Sequence, residues 1–463
     1  MHNNNLFNKI ESYLIKNKDI LKINSKDIKK NDVFIALKGS KYHGNRFINK
    51  AVSNGAKYII SDKETPSKKK NKNILIVNNG RLFLSKIAHK KRNLFKGKII
   101  AITGSLGKTS VKENLKYFLS LKTKVSASIK SYNNELGVLL SIINSNLKTH
   151  INIYEVGTNN FNEIKNLTTI INPHQVIITN ITETHLENFF NTRNIAKEKS
   201  DLFNPKYNSN INSLILQTKN KDEKFLEKLA IKYKIKNIIT FGEKKSDYNI
   251  KKIEIINNNL SKIIIQKKNR LIKFQLPTSF THHIINTIIS IIVFEHNNLN
   301  INEIINKTKR IPIVQGRGKF YDLQINKSKI ILIDESYNAS PVSMMNSIKY
   351  FEKFNVKNES KKFLIFGPMN ELGKDSFNYH KKIVISLAKT SINKVLFCGD
   401  IYRKILKKLD LNSDKFIYMN SEIKIIKFLE SEVNNNDIIL AKGSNSTMVN
   451  KFVIKLLNKK KVI

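Results

Sequence analysis

Gly104, Gly107, Lys108 and Thr109 stand in a segment that reads AITGSLGKTS, at 101–110. An apolar run, Lys98–Ile102, leads into them, and a helical pattern follows from Val111. Glycines let backbone N–H groups close on phosphate oxygens, a lysine adds a point charge, and a threonine offers its hydroxyl to Mg²⁺. Ser105 and Ser110 complete the loop, which is one step short of the standard phosphate-loop spacing. The chemistry it suggests is consumption of a nucleoside triphosphate. In INIYEVG, Glu155 closes a strand pattern, where α/β sheets place their ligands and where a carboxylate suits Mg²⁺. A surface glutamate reads equally well there. QVIITNITETHLENF puts His185 shortly after another strand end, although a lone histidine is more often structural. IAKEKSDLF carries Lys197 and Lys199 in a helical pattern. In so lysine-rich a chain, local physics alone selects neither.

Positioning such groups takes a sheet with helices, and 463 residues are enough for two to four domains. A hydrophobic content of 40% is that of an ordinary globular chain. Apolar stretches such as Ile288–Phe294 fall short of the roughly 20 residues that span a bilayer. The opening MHNNNLFNKIESYLIKNK has no apolar core of signal-peptide type. Cys398 is the single cysteine, so no intrachain disulfide forms, and a cytoplasmic location is expected. The formal charge of +46 would suggest nucleic acid, but only eight of the 82 basic residues are arginine and they do not cluster. Lys, Asn and Ile are abundant throughout, as drift toward A/T-rich codons produces. No specific nucleic-acid partner is expected.

The fold class is α/β, in three domains. Residues 1–96 carry a helix pattern, strands in NDVFIALKG and AKYIISD, and a helix at Phe47–Asn54 between them. A lysine-rich connector, SKKKNKN, follows at 67–73. Residues 97–312 hold the phosphate loop, the strand patterns at 151–157, 175–181 and 213–218, and an alternating region at 245–275 that predicts antiparallel strands. Residues 313–463 hold KIILIDES, KKFLIFG, KVLFCGD and DIILAKGS with helices between them, a second open, Rossmann-like sheet.

The order TGSLGKTS, YNNELGV, YEVGTNN, THLENF, AKEKSDLF, DESYNASP, MNELG and AKGSNS resembles the ATP-dependent Mur ligase family, which builds the peptide stem of bacterial peptidoglycan. The resemblance covers nearly the whole chain. NNELGV, EVGTNNFNEI, DESYNASP and MNELG resemble the members that join D-alanyl-D-alanine to UDP-N-acetylmuramoyl-tripeptide. The Asp-Asn-Pro-Arg signature of the sister enzyme that adds a diamino acid is missing.

This resemblance implies a UDP-binding domain, a central ATP-binding domain and a C-terminal ligase domain. It makes Gly104, Ser105, Gly107, Lys108, Thr109 and Ser110 the ATP loop, and Glu155 and His185 ligands of two Mg²⁺ ions. It makes Lys199 a lysine that is carbamylated, which needs a neutral, partly desolvated amine. Arg317, in VQGRGKF, would meet ATP phosphates, and Glu335 the ribose. In LPTSFTHHIINTIIS, His282 and Asn286 match an adenine-contacting helix start, with Phe280 in the place of a glycine and His283 in that of an asparagine. Ser25 and Lys26 match the pair that approaches UDP, with Asn24 replacing an aspartate. Asn133, Asn134, Tyr337 and Asn338 match substrate contacts, and Asn133-Asn134 alone also reads as a turn. Pro368 departs from the usual aspartate near the acceptor. The implied reaction passes through an acyl phosphate in a monomeric enzyme. A sister amide ligase, or a basic nucleic-acid-binding relic of a ligase, is the alternative.

Overall fold

The computed structural model describes residues 2–39, 42–67, 71–242, 246–258, 260–357, 359–411 and 414–459. Parts of three expected segments lie outside the described residues: 40–41 in the first domain, 68–70 in the connector, and 245 and 259 in the alternating region. The chain divides into two compact units. One holds Met1–Gly104, Val111–Thr179 and Ala196–Thr240, the other Ser105–Ser110, Asn180–Ile195 and Phe241–Ile463.

The first unit opens with the helix His2–Lys16 and four short strands, β1 (Leu21–Lys22), β2 (Val33–Ala36), β3 (Tyr58–Ser61) and β4 (Ile74–Ile76). They pair in parallel in the order β1-β2-β3-β4. β2 is buried along its whole length, as the apolar run VFIA requires. Then come β5 (Lys98–Thr103), β6 (Val125–Ala127), β7 (Ile151–Glu155), β8 (Gln175–Ile178), β9 (Ser213–Gln217) and β10 (Asn237–Gly242), in the order β10-β9-β8-β5-β7-β6. β5 lies between β7 and β8, parallel to both. The strand order therefore reverses at β5, the kind of crevice where open α/β sheets bind ligands.

The helix Gly80–Leu94 fastens three other helices of this unit at their carboxyl ends. Lys91 Nζ donates to the carbonyls of Leu14, Asn17 and Ile143, at 3.0, 2.6 and 2.6 Å. Arg92 donates to the carbonyls of Ile171 and Asn172. Helix ends leave such carbonyls without internal partners, and they carry partial negative charge, so buried cations suit them.

In the second unit β11 (Tyr248–Asn257), β12 (Leu260–Lys267) and β13 (Arg270–Leu276) form the expected antiparallel meander. The end of β10 pairs with β11 in parallel, at Phe241–Tyr248 and Gly242–Asn249. The six-stranded sheet combines β14 (Lys319–Ile325), β15 (Ser328–Glu335), β16 (Lys362–Phe366), β17 (Lys394–Cys398), β18 (Phe416–Met419) and β19 (Ile438–Lys442). Its order is β14-β15-β19-β16-β17-β18. The four strands expected from the apolar runs are all there and parallel. β14, which is antiparallel, and β18 add to these: β14 alternates and is partly exposed, and β18 is a run of only four apolar residues.

Candidate active site

The phosphate loop differs from expectation at its end: the helix runs Lys108–Ser120, three residues earlier than the apolar periodicity suggests. Lys108 and Thr109 thus lie in the first turn, where N–H groups have no helical acceptor and an anion is welcome. Gly104 and Gly107 have φ of 141° and 85°, conformations that side chains disfavour. The segment after β8 holds the loop's backbone: Ser105 N–H donates to the Asn180 carbonyl (3.0 Å) and Leu106 N–H to Asn180 Oδ1 (2.9 Å). Ser105 Oγ donates to the Thr182 carbonyl at 3.0 Å.

Two expected nucleotide residues, Asn286 and Arg317, gather at this loop. A Cβ on Gly107 would stand 2.5 Å from Asn286 Oδ1, so only glycine allows that approach. Arg317 Nη2 donates to Thr109 Oγ1 at 3.0 Å, and its guanidinium lies over the Tyr337 ring. Among the described residues, the buried Asn286 Nδ2 and Arg317 Nε have no hydrogen-bond partner. Buried donors at a glycine cradle fit a ligand rich in acceptor oxygens and nitrogens, as a nucleotide is. Asp334 shapes the Arg317 loop. It accepts from Gly316 N–H through its side chain (2.9 Å) and from Gly318 N–H through its carbonyl (2.7 Å).

Glu335 ends β15 in register with Lys442 at the end of β19. It is buried, with Lys442 Nζ at 3.2 Å, His282 Nε2 at 3.5 Å and the Ser347 hydroxyl donating to it. Burial would raise its pKa, but Lys442 and His282 hold it at about 2. His282 is half-exposed, whereas His283 is buried. Burial lowers His283 to about 3, so the ring is neutral. Phe280 stacks on Tyr350 with ring centroids 3.7 Å apart, filling with an aromatic ring the space that a glycine would leave.

His185 has left-handed backbone (φ 52°), and its Nδ1 touches the Glu371 carboxylate of the MNELG loop. The hydrogen bond with His185 lowers the Glu371 pKa. That loop rests on His380, whose Nε2 accepts from Met369 N–H at 2.9 Å, and on Ser444 and Ser446, which meet Asn370. Pro368 packs beside Gly399. Lys442 lies in the AKGSNS stretch of the resemblance with no role of its own given there, and His380 lies in none of those stretches. Lys442 carried a signal, a polar residue at a strand end, but His380 sits inside an ordinary helix.

In the first unit, Glu155 ends β7 in register with Ile102, two residues before Gly104, and is 1% exposed. Asn133 Nδ2 donates to its Oε1 at 2.8 Å. Asn134 caps the helix Glu135–Ile143 through Oδ1, which accepts from Gly137 N–H (2.9 Å). Lys199 is 2% exposed, while Lys197 on the same helix faces solvent. Glu198 fixes this helix by accepting from the N–H groups of Asn162 and Ile164, both at 2.9 Å. Ser25 is buried and Lys26 exposed. Asn24 Oδ1 caps their turn by accepting from Lys26 N–H (3.0 Å), a task aspartate also performs. Tyr337 is half-buried and Asn338 exposed. Among the described residues no three His, Cys, Asp or Glu side chains gather as a metal cage. A buried carboxylate such as Glu155 fits Mg²⁺, which is commonly held by one or two carboxylates, phosphates and waters.

Known proteins resemble the chain along its length. Residues 19–92 match the model for the catalytic domain of the Mur ligase family, 102–294 that for the Mur ligase middle domain, and 317–445 that for the Mur ligase glutamate ligase domain. The UDP-N-acetylmuramoyl-tripeptide–D-alanyl-D-alanine ligase of Rickettsia prowazekii is 32% identical over 434 residues, 94% of either chain. The enzyme of the same name from Buchnera aphidicola (strain Bp) is 30% identical, over 92% of this chain and 89% of its own. The crystal structure of the MurF ligase of Thermotoga maritima in complex with ADP superposes with a TM-score of 0.78 at 25% identity, covering 96% of this chain and 98% of that one. With a relative this similar over nearly its whole length, the chain belongs to the Mur ligase family.

Proposed function

We propose that this protein joins D-alanyl-D-alanine to UDP-N-acetylmuramoyl-tripeptide, consuming ATP and releasing ADP and phosphate, in the cytoplasm and as a monomer. The observation that carries this reading is that relatives named for that ligation align with more than nine tenths of the chain. The terminal carboxylate of the tripeptide takes the γ-phosphoryl group of ATP and becomes an acyl phosphate. The amine of D-alanyl-D-alanine then attacks the acyl carbon and loses a proton, and phosphate leaves.

Lys108, the N–H groups of the first helical turn and Arg317 act on the phosphates, where preorganised donors contribute most. Glu335, ionised throughout the physiological range, accepts from the ribose, and His282 and Asn286 face the adenine. Ser25 and Lys26 serve the UDP end of the substrate. Asn133, Asn134, Tyr337 and Asn338 serve its sugar and peptide. Glu155, His185, Thr109 and Lys199 would hold Mg²⁺, which when bound neutralises phosphate charge. Lys199 takes part as a carbamate: its amine adds to CO₂ with loss of a proton, and the cation becomes an anion. Its burial supports this, because a desolvated amine is more readily neutral.

Phosphate release measured with the tripeptide and either D-alanyl-D-alanine or single amino acids tests the acceptor. The dipeptide alone should sustain turnover. Equal turnover with L-lysine, diaminopimelate or D-glutamate would make the protein a sister amide ligase instead.

A further inference from the structure

We propose that Lys112 is a positioning residue for Glu155, acting through the loop between β6 and the helix Glu135–Ile143. The inference rests on the reading of Glu155 as a metal ligand.

Lys112 lies on the helix that begins with Lys108, and its side chain is 0% exposed. Burying an ammonium group is costly unless its protons find acceptors. Here they find two backbone carbonyls and one carboxylate. Nζ donates to the Ser128 carbonyl at 2.7 Å and to the Lys130 carbonyl, and lies 3.0 Å from Glu113. Lys130 has φ of 47°, a conformation that a lysine seldom adopts without support.

The loop that Lys112 pins grips Glu155 at both ends of the residue. Glu155 N–H donates to Ser128 Oγ at 3.0 Å, and Asn133 Nδ2 donates to the carboxylate at 2.8 Å. Gly157 N–H donates to the Asn133 carbonyl at 2.7 Å. A Cβ on Gly157 would come within 2.9 Å of the Asn133 side chain, so this clasp needs its glycine. One buried charge thus sets the path of a loop whose two ends fix the backbone and the carboxylate of the same glutamate. Helix packing alone requires no lysine there, since an apolar side chain would fill the same volume without a charge to satisfy.

Loss of a group that orients a metal ligand typically weakens metal binding about 10- to 100-fold. The test uses the full chain with ADP and Mn²⁺ as probe cation, its binding followed by electron paramagnetic resonance, and compares Lys112→Met, Lys112→Arg, Ser128→Ala and Glu155→Gln. Lys112→Met should weaken Mn²⁺ binding about tenfold or more, while metal-free ADP affinity stays within about twofold. Lys112→Arg should recover most of the loss, because a guanidinium can still donate to both carbonyls. Ser128→Ala, which removes the contact to Glu155 N–H without touching the buried charge, should shift binding the same way and less. It decides the matter if Lys112→Met does not fold. Unaltered Mn²⁺ binding in the folded variants would overturn the proposal. Glu155→Gln separates the two readings. If it weakens Mn²⁺ binding and the Lys112 and Ser128 variants do not, the positioning role alone fails. If it binds Mn²⁺ normally, the metal role of Glu155 fails, and the positioning role with it.

Discussion

Lys199→Ala lowers ligation by at least about 100-fold, and millimolar acetate or formate restores part of it. The expectation follows from burial. Two residues along a helix turn a side chain by about 200°, so Lys197 and Lys199 face opposite ways. Lys197 meets solvent and Lys199 is enclosed. Glu198, between them, is locked onto the N–H groups of Asn162 and Ile164, which leaves the helix little freedom to rotate. A carbamate on Lys199 would supply an anion that an alanine lacks, and a small carboxylate diffusing into the vacated space would replace some of it. Lys197→Ala should stay within about twofold of the parent, as a solvent-facing substitution does. Steady-state phosphate release with and without the added carboxylate reads both results. Full activity of Lys199→Ala would remove the carbamate from the mechanism.

Lys108→Ala should cost about 1000-fold in kcat/KM for ATP, and Lys108→Arg should recover little of it. Lys108 opens the helix that follows β5, where its charge adds to the field of the helix N-terminus. Its Nζ rests 3.4 Å from the Ser105 carbonyl, at the mouth of the loop. A guanidinium is wider and planar, and the loop is already tight: Gly107 meets Asn286, and Thr109 meets Arg317. Initial rates at varied ATP, with direct ADP titration of the same variants, check the prediction. Wild-type kcat/KM in Lys108→Ala would mean that the loop does not hold the phosphates.

Glycine spacing and apolar runs made the phosphate loop and most of the parallel strands legible in the sequence, because each is a local pattern. A carboxylate at the end of an apolar run marks the binding edge of a sheet, but that pattern alone left Glu155 open to a surface reading, and Glu335 was chosen by resemblance. The choice of Lys199 over Lys197 rested on resemblance, since nothing local separates two lysines on one helix. The fold separates them by burial. Lys442 meets Glu335 across 107 residues and Lys112 meets Ser128 across 16. Such contacts depend on strand order and loop path, which local pattern does not encode. Phe280 is another case. The sequence shows a missing glycine, and only the packing shows an aromatic stack with Tyr350 in its place.

The most direct test of the central claim is coupled ADP release by the intact protein with ATP, Mg²⁺ and UDP-N-acetylmuramoyl-tripeptide, with and without D-alanyl-D-alanine. Sustained ADP release only when the dipeptide is present, with the UDP-linked pentapeptide as product, is the predicted result. ADP release indifferent to the dipeptide, or none with both substrates present, would contradict it.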